Sequence, residues 1–327
     1  MRTTIKNILN KTPSIIYLVI IVFFVSCGKK LDMYSPAVLQ KITTESERVN
    51  MYLDRMFDEY VDRHPQYQTY LGIKKDYDKW DDISPNAEKL ELKIAKQSLR
   101  WLKDSVDIQY LNDQTSLSFR LYKKKLEDQI NDYKYRLYNY PVNQMNGKQS
   151  GTPAFLINLH KIRSKRDALD YISRLNGIGP LFEQLVKNIK ERESVGIIAP
   201  NFIYDHVLND SKNVITGFPI SGQDSCALFL DFHNKIMKLN IPLLERNELI
   251  ELSKKAIINN VKPAYEELID IVNNLMKDHD ENDGVWRWED GNRFYLNALN
   301  RTTTTNMTAE EIHTLGLSEV KRIHQEM

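Results

Sequence analysis

Histidine and carboxylate side chains are the groups in this sequence best able to bind a metal, and there are seven histidines. Two imidazoles and a carboxylate can hold zinc while a glutamate activates water, which is the chemistry of a hydrolase. Neither a His-Glu-x-x-His stretch nor a Pro-Gly-His stretch occurs in the sequence. His313 and His324 share one predicted helix, but its rise separates them by about 16 Å, too far for one ion. The histidine spacing therefore predicts no metal site in this chain.

A second metal pattern is incomplete. Asp278, Asp280, Asn282 and Glu289 match positions 1, 3, 5 and 12 of a calcium-binding loop. That loop needs glycine at position 6 for its sharp turn, and Asp283 occupies this position. The segment is better interpreted as a turn between helices.

Cys27 has the sequence context of a thiol that receives a lipid. It follows Phe24-Val25-Ser26 and precedes Gly28, an order that resembles the lipobox of bacterial lipoproteins, with phenylalanine in place of the usual leucine. The apolar run before it, from Ile15 to Val25, is shorter than the roughly 20 residues that span a bilayer. A short apolar run after a basic start is typical of an export signal.

The chain therefore divides into three predicted parts: a lipoprotein signal peptide over 1–26, a lipid-anchored tether over 27–44, and a domain over 45–327. Acyl chains such as palmitate on Cys27 would attach the mature protein to a membrane of the bacterial cell envelope, with the outer membrane or cell surface favoured. An uncleaved anchor helix is the alternative interpretation of the same run.

Charge and cysteine usage limit the possible partners. Loss of residues 1–26 removes three basic residues and no acidic one, so the formal charge falls from +1 to −2. A chain without basic excess is not expected to bind nucleic acid. Cys226 is the other cysteine and lies beside an apolar run. We interpret it as a small core residue and not as a nucleophile.

Apolar residues recur at helical spacing along most of the mature chain, so the fold class is mainly α with many helices. No convincing run of alternating apolar and polar residues indicates a strand, so we expect at most one minor hairpin, near Gly284–Trp288. A kink is expected at Pro263, and Thr308 with Glu311 forms a capping box before the last helix. Predicted helices cover about 38–63, 86–106, 114–138, 154–162, 165–175, 181–194, 201–209, 224–238, 245–277 and 308–327.

The sequence also resembles a known family, the bacterial family catalogued as domain of unknown function 885. The most specific likeness lies in Asp283–Arg287, Phe294–Tyr295, Thr302–Thr304 and Thr308–Val320. Further likeness lies in Asp58–Tyr60, Pro65, Leu71–Gly72, Ser84–Pro85, Pro141–Gln144, Gly147 and Ser164–Leu175. Together these segments cover most of residues 45–327.

The resemblance implies a helical scaffold of the zinc metallopeptidase type, a hydrolase acting on peptides. Members are typically longer, and zinc is implied by His-Glu-x-x-Pro-Gly-His and Glu-Gly-Trp stretches in their second half. Neither stretch occurs in this sequence. The chain therefore resembles the N-terminal half only of such a protein, truncated before its catalytic region, with no catalytic residue or cofactor of its own. Asn143 and Gln144, in a loop that resembles the family, are candidate cleft-lining residues.

Two functions stay open at this stage. The first is a membrane-anchored, peptidase-like lipoprotein whose zinc-binding, catalytic half is missing from this chain, which alone is expected to be inactive. The second is a non-catalytic surface lipoprotein that binds a ligand such as a glycan. Tyrosines at 133, 135, 138 and 140 and tryptophans at 286 and 288 could stack on sugars, although such rings more often pack in a core. Apolar helix faces left uncovered favour dimerisation or poor solubility.

Replacement of Cys27 by serine should abolish acylation, because serine offers no thiol to the transferase. Metabolic labelling with a radioactive fatty acid, followed by immunoprecipitation, measures this directly. The wild-type chain should incorporate label, whereas Cys226→Ser should incorporate as much as wild type. Equal labelling of Cys27→Ser and wild type would show that the lipidation prediction is wrong.

Overall fold

The computed structural model describes residues 35–278 and 283–327, and the chain is mainly helical there with no assigned strand. The predicted signal peptide, Cys27 and most of the tether lie outside the described residues, as do Asp280 and Asn282 of the calcium-loop pattern. None of the helices in these two ranges is long and apolar enough to cross a membrane.

Many of the helices begin at or next to a proline or glycine, and Ser164 and Thr308 cap the helices that follow them. They are α1 (Pro36–Arg63), α2 (Pro65–Tyr70), α3 (Pro85–Ser105), α4 (Asp113–Asp132), α5 (Lys148–Asn158), α6 (Lys165–Asn176), α7 (Ile178–Glu193), α8 (Asn201–Val214), α9 (Ala227–Ile236), α10 (Leu243–Ala256), α11 (Lys262–Leu275), α12 (Gly291–Thr303) and α13 (Ala309–Glu326).

The chain forms two compact units that share α1, α3 and α4. Among the described residues, the smaller unit comprises 35–55 together with 100–123. Its packing centres on Tyr52 and Trp101, whose rings stack with centroids 3.6 Å apart. Val49 and Leu102 are fully buried in the same unit. Burial of such large apolar side chains supplies most of the stability of a small helical unit.

The larger unit comprises residues 56–99, 124–278 and 283–327 and contains the main hydrophobic core. Helix α11 packs against α7 and α8, and α10 packs against α6 and α9. The largest apolar side chains that are fully buried there belong to Tyr171, Phe182, Phe232 and Tyr265. Their helices carry apolar residues at three- and four-residue spacing, which is why each buries one face.

Two prolines inside helical segments have different local consequences. Pro153 lies inside α5 and lacks the N–H that would bond the carbonyl of Gln149. The Tyr265 hydroxyl donates to that carbonyl at 2.7 Å instead, so the buried oxygen keeps a partner. Pro263 follows a π-helical segment, Ile257–Val261, that joins α10 to α11. A wider turn before a proline is a common way to absorb the missing hydrogen bond.

Arg174 on α6 is fully buried and is the centre of a polar cluster in the larger unit. Its guanidinium donates to the Lys79 carbonyl at 3.0 Å, the Thr69 hydroxyl at 2.7 Å and His160 Nδ1 at 3.0 Å. Burial lowers the pKa of Arg174 to about 10, so the group is charged at neutral pH. A buried cation is tolerable only when such donors are satisfied.

Aromatic rings complete the surroundings of this guanidinium. Its carbon lies 5.2 Å from the Tyr77 ring centre, 5.7 Å from that of Trp80 and 4.9 Å from that of Phe155. Cation–π attraction of this kind strengthens when water is excluded. One side chain thus joins the loop before α3 to α5 and α6.

The structure confirms the mainly α fold and corrects several element boundaries. The segment that could have formed a hairpin, Gly284–Trp288, contains a single 3-10 turn over Val285–Arg287. Helix α5 begins at Lys148, earlier than predicted, because Gly151 and Pro153 are accommodated inside it. Helix α12 was not predicted from the sequence. The capping box is present, with Thr308 accepting from Glu311 N and Glu311 from Thr308 N.

Stability should fall in acid because His160 is buried as a neutral imidazole. Burial lowers its pKa from 6.5 to about 3. As pH falls below about 6.5, His160 binds a proton in the unfolded chain but stays neutral in the folded chain until about pH 3. The free energy of unfolding is therefore unaffected by this group above pH 6.5 and decreases as pH falls towards 3, by about 2 kcal/mol between pH 6.5 and 4.5. Urea unfolding of wild type and His160→Asn at both pH values measures how much the free energy of unfolding changes with pH in each protein. Equal pH dependence in the two proteins would contradict this account.

Candidate functional site

A pocket in the larger unit encloses about 20 Å³, and about 280 Å³ when the open solvent at its mouth is counted. Four segments of chain form its walls: the loop before α5, the end of α7, the chain entering α8, and the end of α11. The lining residues are Tyr140, Pro141, Val142, Ile189, Arg192, Glu193, Ile197, Ala199, Tyr204 and Leu275. Mostly apolar walls with a few polar groups are typical of small ligand sites.

Two phenols provide the hydrogen-bonding groups of this pocket. The Tyr204 hydroxyl accepts a hydrogen bond from Ala199 N at 3.0 Å, and burial raises its pKa to about 12. Burial also raises the pKa of Tyr140, against the opposing effect of Arg287, which hydrogen-bonds to it. Both phenols are therefore protonated at neutral pH and can donate to a ligand oxygen.

Arg192 fixes the chain that leads into the pocket loop. Its guanidinium donates to Asn139 O at 2.9 Å, Arg136 O at 3.0 Å and Asn139 Oδ1 at 2.7 Å, and within α7 to Asn188 O at 2.9 Å. Carbonyl groups of a loop that would otherwise be free are thereby paired. The neighbouring residue, Glu193, is exposed at the rim.

Asn143 and Gln144, the candidate cleft residues, follow the pocket wall directly. The Asn143 side chain donates to Tyr140 O at 3.0 Å and accepts from Met145 N and Asn146 N, both at 2.9 Å. It therefore braces the loop. Gln144 is exposed and lines no wall of the pocket. Contact of either residue with a ligand stays a prediction.

The loop is closed from the other side by Gln149, which is fully buried. Its Nε2 donates to Asn143 O at 2.6 Å and lies 3.3 Å from Asp210 Oδ2. Gly147 leaves space for this contact. A Cβ at Gly147 would lie 2.1 Å from Gln149 Oε1 and 2.3 Å from Asn143 N.

Aromatic residues near the pocket pack mainly on one another. Tyr138 contacts Trp288 edge to face at 5.1 Å, and Trp288 lies 6.1 Å from Tyr140. Phe294 of α12 lies 5.7 Å from Tyr135 in the same group. Trp286 is the exception, with 68% of its surface exposed. The buried members of this group act as core residues.

The groups able to bind metals do not converge in the described ranges, where no three His, Cys, Asp or Glu residues form a group that could hold an ion. His160 is engaged at both ring nitrogens, by Arg174 and by Asp167 O at 3.0 Å. Cys226 is a buried free thiol, and burial raises its pKa. His279 lies outside the described residues.

Residues 65–327 match the family described as bacterial protein of unknown function, DUF885. The chain belongs to this family. The match includes every residue that lines the pocket and the braced loop that follows it. No curated protein matches the sequence significantly.

Two solved structures are similar to this DUF885 chain in fold. One, described as a "putative lipoprotein" from Colwellia psychrerythraea, has a TM-score of 0.71 at 19% identity. The alignment covers 88% of this chain and 50% of the other. The second, described as a "putative lipoprotein of unknown function" from Shewanella oneidensis, has a TM-score of 0.56 at 13% identity, and the alignment covers 87% of this chain and 46% of the other. This chain thus spans about half the length of both.

Gly147→Ala should destabilise the pocket loop by about 2 kcal/mol, because the added methyl group overlaps Gln149 and the Asn143 backbone. Gly151→Ala is the matched control one turn later in α5, where a Cβ would meet nothing within 4 Å. The control should stabilise by about 0.5–1 kcal/mol, since alanine favours helix. Chemical unfolding measures both, and equal effects would contradict the close approach at Gly147.

Proposed function

We propose that this chain is the helical scaffold of an envelope-anchored, peptidase-like lipoprotein and forms one wall of its peptide-binding cleft. The pocket between Tyr140 and Tyr204 carries the proposal, because it combines apolar walls with protonated phenols. The lipobox-like sequence before Cys27 supports attachment of the chain to a membrane through a lipid. The two similar proteins are each described as a putative lipoprotein, which agrees with this.

The chemistry of the pocket suits a peptide better than a highly charged ligand. A peptide offers carbonyl oxygens to the Tyr140 hydroxyl, which lies among the apolar walls of the pocket. Arg287, which bonds Tyr140, adds positive charge near these oxygens. In this proposal the phenols and Arg287 position substrate and perform no bond cleavage.

Zinc belongs to the proposal only through the family resemblance. The described residues do not fit a zinc site, because their histidines are dispersed and no group of three metal-binding side chains forms among them. The proposal therefore assigns metal binding and water activation to groups other than those described. No catalytic step is derived from this chain.

A second candidate, a non-catalytic glycan-binding lipoprotein, is favoured by an aromatic stripe on α1 and α2. Phe57, Tyr60, Tyr67 and Tyr70 follow at helical spacing, and the Tyr67 and Tyr70 ring planes differ by 11° with centroids 6.0 Å apart. Tyr70 is 68% exposed and Phe57 50%. Exposed ring faces of this kind can stack on the apolar face of a sugar.

Sequencing of the gene beyond the codon for Met327, with an assay of the envelope product, separates the two candidates. The peptidase proposal expects a continuing frame that encodes a His-Glu-x-x-Pro-Gly-His stretch, and peptide hydrolysis that a chelator abolishes. Tyr140→Phe in that product should raise KM about tenfold with little change in kcat, because it removes a binding contact. Tyr295→Phe, an exposed tyrosine on α12, should leave both constants unchanged.

The opposite outcome is equally clear. A stop codon after Met327, together with envelope fractions that lack chelator-sensitive hydrolysis, would overturn the peptidase proposal. Saturable binding of the 327-residue chain to a glycan array, lost in Tyr70→Ala, would then establish the second candidate.

A further inference from the structure

The Tyr204 hydroxyl is a buried hydrogen-bond donor in the wall of the pocket. Tyr204 is 3% exposed, and its oxygen already accepts a hydrogen bond from Ala199 N at 3.0 Å. Among the described residues, no oxygen accepts the proton of this hydroxyl. A buried donor without an acceptor is costly, so its place in a pocket wall indicates a ligand that brings an acceptor oxygen.

Tyr140 adds a second donor to the same pocket. Arginine can only donate, so the hydrogen bond from Arg287 occupies the Tyr140 oxygen and leaves the Tyr140 proton for a ligand. The two phenols are close enough to interact. Burial raises the pKa of Tyr204 most, and the neighbouring Tyr140 raises it further. Two fixed donors that face one oxygen are a common way to bind a carbonyl group.

The enclosed part of the pocket is small. It measures about 20 Å³, little more than the roughly 10–15 Å³ that a single water needs. It therefore admits one or two ligand atoms, such as a carbonyl oxygen, and excludes a whole side chain. The rest of the ligand must lie in the open mouth, where Glu193 is exposed.

Glu193 places a negative charge at this mouth. Its carboxylate pairs with no cation among the described residues, and it is near enough to Tyr204 to add to the effect of burial on the pKa of that phenol. Arg192, the cation that also lines the pocket, is buried and donates four hydrogen bonds to oxygens of the protein. The exposed charge that an entering ligand meets is therefore negative.

The free amino terminus of a peptide matches this order of groups. Its first residue carries an ammonium group and a carbonyl oxygen within about 4 Å of each other. The oxygen can enter between the phenols while the ammonium stays at Glu193. A carboxyl terminus would bring its negative charge towards Glu193, which repels it. A peptide bond within a chain offers the oxygen but no positive charge.

We propose that the pocket binds the free amino terminus of a peptide, with the first carbonyl oxygen between Tyr140 and Tyr204 and the ammonium group at Glu193. The inference rests on the proposed peptide-binding function and names the end of the peptide that the site recognises. Glu193 and the phenols position the substrate and take part in no covalent step.

Equilibrium binding of tritiated tetrapeptides to envelope membranes that contain the native gene product tests this inference. The probes are a peptide of alanine and leucine with both ends free, its N-acetylated form and its C-terminal amide. Binding is measured in the cold with a chelator, so that no probe is cleaved, and membranes without the protein give the background. Acetylation should weaken binding about fivefold, the effect of one ion pair at an exposed rim, whereas amidation should change it little.

Three variants separate charge recognition from the other contacts of the pocket. Glu193→Gln should bring the affinities of the free and acetylated peptides to within about twofold of each other, because an amide does not pair with an ammonium group. Glu183→Gln is the matched control, exposed on the same helix α7 but outside the pocket lining, and should keep the fivefold difference. Tyr140→Phe should weaken both peptides alike and also keep it.

The outcomes distinguish this inference from the proposal beneath it. Equal binding of the free and acetylated peptides, or an equal loss for both in Glu193→Gln, would overturn recognition of the amino terminus and leave the peptide-binding cleft in place. Weaker binding of the amide alone would assign the pocket to the carboxyl terminus. If none of the three peptides binds saturably, the peptide-binding proposal is wrong, and this inference fails with it.

Discussion

Burial of the Arg174 guanidinium is the constraint on which the arrangement of the larger unit depends. A charge removed from water needs hydrogen-bond acceptors nearby, and here they come from three separate segments of chain. Helix α2 provides the Thr69 hydroxyl, the loop before α3 provides the Lys79 carbonyl, and the chain just after α5 provides the His160 imidazole. These stretches cannot separate without leaving the cation unpaired. The cluster therefore gives α6 a defined position and does more than add stability.

The pocket depends on the same principle applied to backbone groups. Arg192 pairs carbonyls of the chain before Tyr140, and the Asn143 amide pairs N–H groups after it. A loop of this length would be mobile if its polar groups were left to water. Here arginine and amide side chains hold it against α7, so the phenols face the pocket in fixed positions. Preorganisation of this kind reduces the entropy lost when a ligand binds.

Helical periodicity, capping and proline positions were enough to predict the fold class and most helices. They failed where tertiary contacts decide the outcome. The predicted helix began only after Pro153, yet α5 includes this proline because a tyrosine more than a hundred residues away replaces the missing donor. Helix α12 opens at Gly291 without a side-chain cap, so its start gives no signal in the sequence.

Prediction of the pocket was less complete for a similar reason. The loop containing Asn143 was identified, but Tyr204 joins it only through the packing of α8, which no local pattern reveals. Arg174 falls in the predicted helix 165–175, and no sequence pattern there indicates its burial. Its burial follows from the whole set of aromatic residues around it, and these come together only in the folded chain.

Because the Tyr265 hydroxyl donates a hydrogen bond to the Gln149 carbonyl, the effect of a substitution at position 265 depends on which residue occupies position 153. Phenylalanine at 265 would strand a buried oxygen for as long as proline remains at 153. Once residue 153 regains an N–H, the helix can satisfy that oxygen by itself, and the hydroxyl at 265 becomes dispensable. Substitutions at the two sites are thus epistatic, and their order matters: a lineage can lose the proline first and the tyrosine second at little cost, whereas the reverse path passes through a weakened protein.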